Sequence, residues 1–61
     1  MKICVGDLIS ALGHTYRVGH IIYQECYNGN YDVEFLDDIG NYHHWKSQFD
    51  GGRVIPNGGE E

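Results

Sequence analysis

Along most of this chain apolar and polar residues alternate one by one, and the three-and-four spacing of a helix never persists beyond a single turn. The clearest alternation is YDVEFLD, residues 31 to 37. Tyr31, Val33 and Phe35 fall on one face and Asp32 and Glu34 on the other, which predicts a strand with one buried and one wet side. Before it, TYRVGHIIYQ is dense in β-branched and aromatic residues. Tyr16 and Val18 share a face there, with Arg17 opposite. Gly19 interrupts the run and predicts a bulge or sharp bend. A bulge shifts the inward phase, which leaves open whether Ile21 or Ile22 meets the core.

Turn chemistry divides the rest. Leu8, Ile9, Ala11 and Leu12 lie between Gly6 and Gly13 and read as a first strand. Asn28-Gly29 predicts a tight hairpin, because a type I′ turn needs positive φ at both central residues. Asp37-Asp38-Ile39-Gly40-Asn41 is a second turn, with aspartates suited to accept backbone hydrogen bonds. YHHWK follows as a fourth strand, with Trp45 expected inside on size. SQFDGG predicts a single turn of 3₁₀ helix, RVI a short last strand, and Pro56 its end. Strands recurring at this spacing predict an all-β fold, a small five-stranded barrel or sandwich over residues 1–56, followed by a flexible acidic tail at 57–61.

Several of these residues form a recognisable set: Val5-Gly6-Asp7, Ser10-Ala11, Tyr16 through Ile21, Val33-Glu34-Phe35, and Asp37, Asp38, Gly40 and Asn41. Together with a bent second strand and a turn before the last one, the chain resembles the Src-homology-3-like (SH3-like) barrels, and among them the Tudor-type domains. That resemblance implies a cage for a methylated cation with Tyr16 as one wall. The chain departs from it where Ile39, Leu36 and His14 stand in place of aromatic residues, and an aliphatic wall has no ring quadrupole to attract a cation.

Sixty-one residues make one small domain, which buries about 60% of the surface its unfolded chain exposes. Cys4 and Cys26 form no framework of spaced pairs. Two buried free thiols are expected, with a bridge between them as the alternative. No apolar run reaches the length of a membrane span and the first residues lack a signal-peptide core, so a reducing cytoplasm is expected.

Nine acidic against four basic residues give a net charge of −5. Lys2, Arg17, Lys46 and Arg53 are scattered, which disfavours nucleic acid as a partner and suits a basic protein. His14, His20, His43 and His44 lack ligand spacing, since adjacent strand residues His43 and His44 point to opposite faces. Asp37 and Asp38 read as turn caps rather than as an acid–base pair. A side-chain-filled barrel of this size leaves little room for a substrate. No enzyme activity, cofactor or metal ion is expected.

The aromatic residues exceed what so small a core absorbs, and surplus rings at the surface mark interfaces. The expected binding face comprises Tyr16, Tyr23, Tyr27, Tyr31, Asp37, Asp38, Tyr42, His44 and Phe49, near the hairpin and the second turn. The function expected is a protein-interaction module, with a homo-oligomer as one form. By analogy with the stand-alone miniature domains of phages and mobile elements, it would be an inhibitor or adaptor acting on a host or defence protein. The alternatives are a barrel stacking single-stranded bases on its aromatics, and a small-molecule or peptide site between subunits.

Overall fold

The computed structural model describes residues 2–57. Five antiparallel strands form a sheet in the order β4-β3-β2-β1-β5. They are β1 Leu8–Ala11, β2 His14–Tyr27, β3 Asn30–Asp37, β4 Tyr42–Lys46 and β5 Arg53–Ile55, with one helical turn, α1 Ser47–Asp50, between the last two. The all-β class expected from the alternation is present. The closed barrel is not. β4 and β5 are the two ends of the order, and no ladder joins them. β5 is three residues long, pairs only with β1, and runs into Pro56, which has no N–H to donate.

The sheet curls because β2 serves two ladders. Its first four residues pair with β1, and the stretch from Val18 pairs with β3. Gly19 lies at a register shift just inside the β3 ladder, between Val18 and His20, as its place in the sequence predicts. A Cβ at Gly19 would meet the carbonyl oxygen of Asp37 at 2.5 Å, so only glycine lets the two strands approach here. A second register shift, between Ile21 and Tyr23, returns the strand to its original phase. Ile21 therefore packs on the core and Ile22 is exposed. Tyr23 and Glu25 are turned to the outer face.

The core consists of Ile3, Ile9, Ala11, Val18, Val33, Phe35 and Trp45, with Tyr16, Ile21, Tyr31 and Val54 packed around it. Val33 and Phe35 are fully buried from one face of β3, as the alternation requires. Trp45 is inside as expected, and its indole N–H donates to Gly51 O at 2.8 Å, so the ring holds the chain where it leaves α1. α1 is an α turn rather than the expected 3₁₀ turn: Gly51 N–H donates to Ser47 O, a bond spanning four residues.

Asn28 and Gly29 both have positive φ, 50° and 78°, as the hairpin signal demands. The β1–β2 connection has the same form without the same residues. Leu12 (φ 54°) and Gly13 (φ 80°) turn the chain between the paired Ala11 and His14. A leucine in the left-handed region costs about 1–2 kcal/mol.

The thiols differ from expectation. Cys4 and Cys26 are free, and both are exposed rather than buried. Cys4 lies in the turn before β1, next to the buried Ile3, and Cys26 lies at the far end of β2, beyond the core. Asp7 fastens the same N-terminal turn, accepting from Cys4 N–H at 2.9 Å and from Asn57 N–H at 2.9 Å. Asn57, the first residue of the expected tail, is thereby tied to the body of the protein. The rest of that tail lies outside the described residues.

Candidate functional site

Three of the residues singled out in the sequence converge on the outer face of β2, β3 and β4. In the ladder, Tyr23 lies opposite Glu34 and Glu34 opposite His44, while Glu25 lies opposite Asp32 and Asp32 opposite Lys46. Each carboxylate of this patch is engaged by a neighbouring ring. Tyr23 Oη donates to Glu25 Oε1 at 2.7 Å and Tyr42 Oη donates to Glu34 Oε1 at 2.8 Å. His44 Nε2 lies 2.7 Å from Asp32 Oδ1. The hydrogen bonds to Glu25 and Glu34 hold the Tyr23 and Tyr42 hydroxyls above the ordinary tyrosine range, and the nearby carboxylates push in the same direction.

The arrangement is electrostatically expensive. Glu25 and Asp32 are like charges directly across a ladder, a destabilising placement. Lys46, the one cation opposite Asp32, makes no ion pair with it among the described residues; its Nζ lies 5.8 Å from the Phe49 ring. The face is thus acidic, rimmed by exposed Tyr23 and Tyr42, and open to a cation from outside.

The remaining expected residues lie elsewhere. Tyr16 is on the concave side, its ring 4.0 Å from that of His43 and 6.0 Å from that of His14. Tyr31 stacks on Trp45 with ring centroids 5.6 Å apart. Tyr27 is at the hairpin end of β2, Asp38 is exposed in the β3–β4 turn, and Phe49 is 74% exposed on α1. Asp37 is buried and caps its turn, accepting from the Ile39 and Asn41 amides at 3.0 and 2.8 Å. The cage position expected of Ile39 is a fully turned-out side chain, 79% exposed.

Between the β1–β2 turn and β4, the concave side opens as a groove of about 130 Å³ lined by Leu12, Tyr16, Phe35, His43, Trp45 and Asp50. A second recess, of about 320 Å³, lies between the Asn28-Gly29 hairpin and Arg53. His43 and His44 point to opposite sides of β4, toward Asp37 and Asp32 respectively. Among the described residues, no group of three or more His, Cys, Asp or Glu is placed to hold a metal ion. No helix among them is long and apolar enough to cross a membrane.

Sequence reasoning missed Glu25, Asp32 and Glu34 as a unit. The alternation of β3 already puts Asp32 and Glu34 on one face. Glu25 joins them only through the second bulge of β2, at Ile22, for which no glycine gives a signal. Comparison with protein families, curated proteins and solved structures gives no match for this chain.

Proposed function

We propose that this chain is a non-enzymatic protein-interaction module whose outer β2–β3–β4 face docks a basic segment of another protein. The observation that carries the reading is the juxtaposition of Glu25, Asp32 and Glu34 across adjacent strands, with no lysine or arginine bonded to any of them among the described residues and Asp32 paired with His44 alone. Like charges placed opposite one another weaken the fold, and a lysine or arginine arriving from a partner turns that cost into attraction. Tyr23, Tyr42 and His44 contribute flat, half-exposed rings that lose little conformational freedom on docking, as aromatic anchors do at interfaces. A phosphate backbone is repelled by the same carboxylates, which ranks nucleic acid below protein as a partner.

The bent β2, the tight β2–β3 hairpin and the helical turn before β5 support an SH3-like sheet that curls without closing. An inhibitor or adaptor directed at a basic surface fits the net charge of −5.

Calorimetric titration with a lysine-rich peptide tests the proposal. Neutralising the three carboxylates, of which Glu25 is exposed and Asp32 and Glu34 are partly buried, in the triple variant Glu25→Gln, Asp32→Asn, Glu34→Gln, removes roughly 0.5 kcal/mol each. The expected result is about a tenfold loss of affinity, and for the wild type a steep fall with added salt. Equal affinity of the two proteins would overturn the assignment of this face.

A further inference from the structure

The two edges of the sheet differ. β5 is three residues long and is closed off by Pro56, whereas β4 is five residues long without proline or bulge, and its one edge lysine, Lys46, lies at the end of the strand with its N–H held by Asp50 Oδ2. The hydrogen-bond phase of β4 follows from its ends. Asp37 N–H donates to Asn41 O, Tyr31 N–H donates to Ser47 Oγ, and Lys46 N–H turns the other way, to Asp50 Oδ2. Antiparallel pairs alternate, so His43 and Trp45 bond to β3, while the N–H and C=O groups of Tyr42 and His44 point away from the sheet.

Both sides of this edge are furnished. On the concave side lies the groove bounded by Leu12, His43, Trp45 and Asp50. On the outer side, the hydrogen bonds from Tyr42 and His44 draw the carboxylates of Glu34 and Asp32 toward β4 and hence toward the edge. We infer that the β4 edge accepts an extended basic segment of a partner protein as a sixth strand, its alternate side chains entering the groove and crossing the acidic face. This deepens the function proposed above and rests on it. The main-chain groups of Tyr42 and His44 supply the pairing, and the period of two in the incoming strand delivers apolar residues to one side and lysine or arginine to the other.

Charge selects the occupant. Two copies pairing β4 to β4 would bring two sets of Asp32 and Glu34 together across the seam, and the chain as a whole carries a net charge of −5. A basic strand meets neither obstacle.

The test uses three synthetic octapeptides: one with strictly alternating lysine and valine, one with the same residues in two blocks, and the alternating one N-methylated at every second amide along one edge. Each is titrated into the ¹⁵N-labelled full chain, with amide exchange followed residue by residue. The expected result is binding of the alternating peptide with slowed exchange at Tyr42 and His44, and a loss of about tenfold or more in affinity on N-methylation. Equal binding of all three peptides without protection of those amides would overturn strand addition and leave the acidic face standing as a charge-driven site. Binding of none of them at low salt would overturn both readings. His44→Pro removes an outward N–H together with the ring and leaves the β3 ladder intact, whereas His44→Ala removes the ring alone; the proline variant should weaken the alternating peptide further than the alanine variant does, and equal affinity of the two folded variants would count against the inference.

Discussion

His43 directs its Nε2 at the carboxylate of Asp37, 2.8 Å from Oδ2, while its ring lies against Tyr16 and Phe35. One residue of β4 thereby fastens the end of β3 to the concave wall. The hydrogen bond from His43 is the main influence on Asp37 and holds its carboxyl below the ordinary value of 3.8; burial opposes this, and the Asn41 and Ile39 amides reinforce it. A carboxyl lowered in the folded state adds stability that is fully present above its unfolded value and lost as pH falls through the folded one. Denaturation midpoints measured from neutral pH downward should fall below about pH 4, and Asp37→Asn should flatten that acid limb. An unchanged limb in the variant would place the acid sensitivity elsewhere.

Gly19 is the residue on which the bend of β2 depends. Gly19→Ala puts a methyl group against the Asp37 carbonyl, in backbone that cannot move aside like a flexible side chain. The expected loss is about 1–3 kcal/mol, the range for overpacking, measured by urea denaturation. A variant as stable as the wild type would mean the strands are not so closely apposed.

Leu12 sits in the left-handed region while 72% exposed, at the mouth of the concave groove. Leu12→Asn relieves backbone strain and should raise stability by about 1 kcal/mol. The same variant should weaken strand binding, because it removes an apolar wall of the groove. A gain in stability with unchanged binding would separate the turn from the site.

Glu25 and Asp32 face each other across β2 and β3. Glu25→Gln keeps an acceptor for the Tyr23 hydroxyl and removes one of the opposed charges. Stability should rise by about 0.2–1 kcal/mol while affinity for a lysine-rich peptide falls. A stabilised variant that binds as well as the wild type would show that the charge pair serves no partner.

The parts of the fold legible in the sequence are those set by single residues with one dominant reason. Asn28-Gly29 can make positive φ at low cost, Trp45 is too large to leave outside, and Val33 and Phe35 are carried inward by a period of two. The remainder depends on relations between strands. Leu12 turns the chain against its own preference because Ala11 and His14 pair around it, so Gly13 marks the end of the strand while no local signal places Leu12 in the turn. The bulge at Ile22 is set by the register against β3 and decides that Tyr23 and Glu25 face outward. Closure of the barrel turned on the length of β5 and on Pro56, which locally read only as the end of a strand. For the site, Tyr23, Tyr42 and His44 could be named individually, but their union with three carboxylates required knowing which strands are neighbours.

The acidic outer face is proposed as the surface on which a partner docks. The most direct measurement is quantitative mass spectrometry of proteins retained from a bacterial lysate by the wild type and by the Glu25→Gln, Asp32→Asn, Glu34→Gln variant, side by side. A set of basic proteins should be enriched on the wild type and lost from the variant. The same proteins retained by both, or none retained by either, would contradict it.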